Sequence, residues 1–135
     1  MKKESNLWPT INSVEKARIV AREQGFWGSI IVASFTAISL VFLPDETYSP
    51  LEDWTFVIGA IVNVGLYIAF AFGIRRMSRV AATSAFLLYL ADRIYMIFDD
   101  QSVGFFGLIS MYLVMFFLNS VRATFAFHRF SAKSN

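Results

Sequence analysis

The sequence predicts an all-α integral membrane protein: an antiparallel, up-down-up-down bundle of four transmembrane helices with the N- and C-termini cytoplasmic. Three observations predict it. Four long apolar stretches are joined by short loops, charge is almost confined to the ends and loops, and basic and acidic loops fall on opposite sides. Hydrophobic residues supply 56% of the 135 positions and charged residues only 16%, whereas a water-soluble domain carries about 25% charged residues. The length suits one domain.

Residues 1–24 form a mostly polar cytoplasmic segment with a short amphipathic helix. Ser13 is placed to cap that helix, Val14, Ala17 and Ala21 share one face, and Arg18 and Arg22 lie beside them. It reads as a cytoplasmic extension of the first span or a surface-lying turn; the alternative is a docking helix for a partner. A cleavable signal is not expected, because no apolar run closely follows the first basic residues.

A hydrocarbon core about 30 Å thick takes about 20 helical residues. The first span covers residues 25–43 and stops at Pro44, with Gly25, Ser29, Ala33 and Ala37 forming a ridge at four-residue spacing. The second covers 54–74, ends at Arg75 and Arg76, and carries Gly65, Ala69 and Gly73 at the same spacing. The third covers 80–98, offers Ala81 and Ala85, and ends at Asp99 and Asp100. The fourth covers 103–127, offers Gly104 and Gly107, and is closed by His128 and Arg129, leaving residues 128–135 as a cytoplasmic tail. These stretches are too long and too apolar for strands, and lipid requires backbone groups to be paired internally. Short loops make successive helices antiparallel neighbours. Small residues let helices approach in lipid, either within the monomer or at an oligomer seam.

Orientation follows from charge. Lys2, Lys3, Lys16, Arg18 and Arg22 precede the first span, Arg75, Arg76 and Arg79 join the second to the third, and Arg122, Arg129 and Lys133 lie at the end of the fourth. Asp45, Glu46, Glu52, Asp53, Asp99 and Asp100 occupy the opposite loops without Lys or Arg. The positive-inside rule then sets the topology, and Trp27 and Trp54 sit at opposite boundaries. The expected location is a bacterial inner (plasma) membrane, crossed several times.

Asp92 and Arg93 are the ionisable pair inside a span. They lie about 8 Å below the outer interface by helical rise, where such residues face protein or water and are paired. Adjacent helical residues point about 100° apart, so each needs a partner elsewhere. Tyr89 is one turn away, and Asn63 and Tyr67 on the second span, Ser34 and Thr36 on the first, and Ser110 and Tyr112 on the fourth fall near their depth. The candidate site is therefore a polar layer of Asn63, Tyr89, Asp92 and Arg93. It reads as a hydrogen-bonded clamp, with an ion or proton site at Asp92, or an arginine that snorkels or meets a partner subunit, as alternatives. Arg79, Arg122 and Arg129 are expected to contact lipid headgroups or a partner, with Asn119 on the face of Arg122.

Chemistry beyond this is poorly represented. With no Cys and one His, thiolate chemistry and multi-histidine metal sites are excluded, and His128 reads as a boundary residue. No metal or cofactor is expected. There is no aspartate dyad, no Ser-His-acid set at one depth and no phosphate-binding Gly loop, so catalysis is not expected. The first-span glutamate of small multidrug transporters is also missing. The net charge of +2 is too small to imply nucleic acid. The expected role is a non-catalytic accessory, assembly or structural subunit, with membrane lipid and other membrane subunits or copies of itself as partners. The alternative is a small homo-oligomeric channel or transporter with an ion or proton site at Asp92.

Overall fold

The computed structural model describes residues 7–42, 50–98 and 105–133. It is all-helical over those residues: α1 (Val14–Val20), a π-helical segment (Ala21–Phe26), α2 (Trp27–Phe42), α3 (Pro50–Arg75), α4 (Arg79–Phe98) and α5 (Phe105–Lys133). Two of these, α3 over Val57–Arg75 and α5 over Gly107–Lys133, are long and apolar enough to cross a membrane, with mean hydropathies of 2.2 and 1.5. Of the acidic residues assigned to outer loops, Asp45, Glu46, Asp99 and Asp100 lie outside the described residues, as does Gly104.

Helix α1 begins with a cap. Ser13 adopts an extended conformation and its hydroxyl accepts from Lys16 N at 3.2 Å, satisfying one of the free amides of the first turn. From there Val14–Phe42 is helical throughout, with no break at residue 24. The reason is packing: Ala17, Val20 and Ala21 are buried, and α1 lies along α5. At the other end α5 continues through His128 and Arg129 to Lys133, so most of the expected tail is helical.

The π segment explains how a long small-residue ridge stays in register. Ala17, Ala21, Gly25, Ser29 and Ala33 recur every four residues and all five are buried. In an ideal helix of about 3.6 residues per turn, a strict four-residue stripe drifts steadily around the axis. The π turn between Ala21 and Phe26 takes more residues per turn and winds the stripe back. The ridge then meets α5 closely. A Cβ at Gly25 would stand 2.6 Å from Ser120 Cβ and 2.8 Å from Ile74 Cγ2. Ser29 resolves its own burial by donating to Gly25 O at 2.9 Å.

The α3–α4 connection is a two-bond helix stop. Ser78 N donates to Gly73 O at 3.0 Å and Met77 N to Ile74 O at 2.8 Å, the pattern of a Schellman C-cap. The residue at its left-handed position is Met77, with φ 61°, where glycine is usual because a side chain costs about 1 kcal/mol or more there. Burial of the Met77 side chain offsets that cost. Ser78 then caps α4, its Oγ accepting from Ala81 N at 3.3 Å. Gly73 and Ala81 meet so closely that no Cβ fits on Gly73.

The buried core occupies one half of the molecule, the half at the basic α3–α4 turn. Among side chains described, nothing is buried on α2 beyond Ala33, on α3 before Tyr67, on α4 after Tyr89 or on α5 before Leu113. Farther along, α2 packs on α3 and α4 on α5, while α2 barely meets α5. The exterior is apolar: Ile58, Ile61, Val62 and Phe72 of α3, Leu87, Ile94, Ile97 and Phe98 of α4, and Leu108 and Met111 of α5 are exposed. Such a surface is uncovered in water and matched by lipid.

The two classes of glycine make opposite predictions. Gly25→Ala should lower the unfolding free energy in detergent by about 1–3 kcal/mol, the usual cost of overpacking. Gly65→Ala, with open space around Gly65, should be neutral or slightly stabilising. Thermal denaturation of both variants checks this, and equal behaviour would count against the described packing of the first helix.

Candidate functional site

The closed half of the bundle ends in an aromatic junction. Tyr67 from α3 and Tyr89 from α4 both pack on Phe117 of α5, with ring centroids 6.2 and 5.2 Å away. All three are essentially inaccessible. Polar groups gather where this junction gives way to the less packed half. Asn63 lies one turn beyond Tyr67 on α3, and Asp92 and Arg93 lie one turn beyond Tyr89 on α4, all half-buried. The Tyr67 hydroxyl lies within electrostatic reach of Asp92, Tyr89 and Arg93.

The bonding of this layer is incomplete. Arg93 Nη1 donates to Ser110 Oγ on α5 at 3.2 Å, and its guanidinium stacks on the Tyr89 ring, 4.8 Å from the centroid. Arg93 thus engages Tyr89 through the ring face. Among the described residues, Asp92 and Arg93 form no ion pair with each other, as their angular separation on the helix leads one to expect. Asn63 Oδ1, the Tyr67 hydroxyl and Arg93 Nε are buried without a hydrogen-bond partner. Each such group costs about 1–3 kcal/mol if it stays unpaired. These three lie on the helix turns that carry Asp92 and Tyr67; the atoms Gln24 Oε1 and Ser120 Oγ, in the packed half, are also buried without a hydrogen-bond partner.

Not every polar residue expected at this depth joins the layer. Thr36 donates to its own helix at Val32 O, 3.0 Å away. Ser34 is exposed. Tyr112 faces a separate cleft with Leu7, Glu23, Gln24 and Phe116. Ser110 does take part, and Tyr67 is more deeply buried than the four residues singled out from sequence. Tyr67 is legible only as a residue one turn from Asn63, because its burial depends on Phe117 from a distant helix.

The arginines expected to meet headgroups behave differently from one another. Arg122 Nη1 donates to Asn119 Oδ1 at 2.8 Å, and the Arg122 guanidinium lies 3.7 Å from the centre of the Trp8 ring. Asn119, fully buried, donates to Leu7 O at 2.7 Å. Arg122 is therefore occupied within the chain, strapping the segment before α1 to α5, a contact over so many residues that no local pattern announces it. Arg79 stacks on Phe125 at 5.2 Å, while Arg129 is exposed. His128 also has a structural partner: its Nε2 lies 3.0 Å from Met77 O. A carbonyl only accepts, so this contact requires the Nε2-protonated tautomer. It ties the α3–α4 turn to α5.

Compared with known proteins, the chain matches no family model, no curated protein and no solved structure. The site must therefore be interpreted from its own chemistry. Among the described residues no group of three or more His, Cys, Asp or Glu is arranged to hold a metal ion.

Asn119→Ala should release the strap. The expected result is faster proteolysis or hydrogen exchange in residues 7–12, with a loss of about 1 kcal/mol in stability, typical of one hydrogen bond. Unchanged protection of that segment would mean that Arg122 and Trp8 hold it without Asn119.

Proposed function

We propose that this chain is a non-catalytic accessory or assembly subunit of a membrane complex, crossing a bacterial inner membrane four times with both termini cytoplasmic. The first helix (α1 through α2), α3, α4 and α5 would be the spans, with the basic α3–α4 turn on the cytoplasmic side. The positive-inside charge pattern and the apolar exterior support that placement.

The observation that carries the subunit reading is the uncovered face of α3. Gly65 and Ala69 are exposed there, and a Cβ added at Gly65 meets nothing within 4 Å. The corresponding small residues of the first helix are consumed inside the monomer, so the two ridges serve different purposes. Exposed small residues allow another helix to approach α3 closely in lipid, where shape and polar contacts drive association. The far half of the bundle, poor in internal packing, gives that helix room.

Gly65→Leu combined with Ala69→Leu tests this reading. Co-extracted chains should be lost on gentle solubilisation, as measured by native mass determination, while the melting temperature of the isolated chain stays within a few degrees. Retention of the same partners at the same stoichiometry would overturn the assignment of that face.

The second reading is a homo-oligomeric channel or transporter, and the unpartnered groups around Asp92 favour it. A clamp should have its polar atoms paired, whereas an ion, proton or water path leaves them available. Asp92→Asn removes the charge and nearly preserves the shape. In the transport reading it should abolish ion or proton flux in vesicles while leaving assembly unchanged; in the subunit reading it should alter assembly or stability, with no flux to lose.

A further inference from the structure

A second polar region lies at the opposite end from Asp92. A cleft of about 380 Å³ opens between α1 and the α3–α4 turn, lined by Arg18, Arg22, Arg75 and Arg76 with Ile19, Ile74, Met77 and Phe127. All four arginines are exposed, and no acidic residue lines the cleft. Glu15 is one turn before Arg18 on the same helix, and Glu23 faces the separate cleft with Tyr112 and Phe116. Among the described residues no carboxylate forms an ion pair with any of the four guanidinium groups.

Two of the arginines are held in place. Arg18 lies 5.2 Å from the centre of the Phe127 ring, and Arg75 lies 5.9 Å from that of Phe26. A ring face attracts the cation but leaves the edge N–H donors available. Arg22 and Arg76 complete the rim. Four like charges converging without an anion repel one another, and the arrangement is relieved when an anion enters. Guanidinium donors suit phosphate oxygens, which they can bind in pairs.

The apolar floor narrows the choice of anion. Ile19 is exposed at the cleft, and Phe72, one turn before Arg75 and Arg76, continues an apolar path along α3. A free phosphate has no use for that path, whereas a lipid places a phosphate at the rim and a glycerol backbone and acyl chain along it. Basic pockets between helices on the cytoplasmic side of a membrane are suited to this class of ligand. We infer that the Arg18–Arg22–Arg75–Arg76 cleft binds the phosphate of an anionic phospholipid, whose acyl chain starts against Ile19 and Phe72 at the basic end, short of the Gly65–Ala69 face. The inference rests on the membrane placement proposed above, but not on either reading of the Asp92 layer.

The test uses the full chain. Retention in membranes after an alkaline carbonate wash first establishes that it is integral; release at that step would overturn the membrane placement itself. The protein is then reconstituted in mixed phosphatidylglycerol and phosphatidylcholine, re-extracted gently, and its bound lipids are counted by native mass spectrometry. Wild type should retain phosphatidylglycerol in preference to phosphatidylcholine. Arg22→Gln with Arg76→Gln, which leaves both aromatic-stacked arginines in place, should lower that preference by roughly thirtyfold, given the contribution expected of each basic residue near anionic lipid. Circular dichroism should show the double variant folded. Equal retention of the two lipids by wild type, or an unchanged preference in the double variant, would overturn the inference. Displacement of phosphatidylglycerol by inorganic phosphate at comparable concentration would also overturn it, by making the site one for free anions.

Discussion

The close approach of the first helix to α5 and α3 is the constraint on which the rest depends. Helices approach this closely only where their surfaces fit. Here the fit is made by removing side chains: Gly25 lies where any Cβ would strike Ser120 and Ile74, and Ala17, Ala21 and Ala33 continue the same narrow face. The π segment keeps that face turned inward over a length at which an ideal helix would have rotated it away. Once the first helix is seated, Arg18 reaches Phe127 on α5, and Phe26 reaches Arg75 at the end of α3. The basic cleft follows from the same contact.

A second set of interactions anchors the basic end from the outside. His128 holds the carbonyl of Met77, and Met77 occupies a backbone conformation that a side chain disfavours. The buried Met77 side chain and the imidazole contact together offset that cost. Asn119 and Arg122 hold the strand of residues before α1 through a backbone carbonyl and the Trp8 ring. Each of these contacts joins segments far apart in the chain, so the basic half behaves as one packed unit.

The far half is built on different terms. Beyond the Tyr67–Phe117–Tyr89 junction, helix faces are apolar but uncovered, and the polar layer at the boundary has more hydrogen-bonding capacity than the chain satisfies. The molecule is closely packed at one end and loosely packed at the other. Both functional readings draw on that division and differ in what completes the layer: a neighbouring helix, or water and ions.

The sequence is enough to locate the helices, their approximate limits and the asymmetry of charge. Apolar length, proline and charged stops act locally, and each is visible in consecutive residues. It also located Asp92 and Arg93 as exceptional, because an ionisable residue in an apolar run is conspicuous without any structure. Tertiary structure alone decided how the ridges are used: Gly25 and Gly65 have the same appearance in sequence, yet one is buried against Ser120 and the other open. It likewise turned Arg122 inward to Asn119 and Trp8, and brought Arg18 and Arg22 opposite Arg75 and Arg76. Those outcomes depend on which helix lies beside which face, and neither a small residue nor an arginine carries that information in its own neighbourhood.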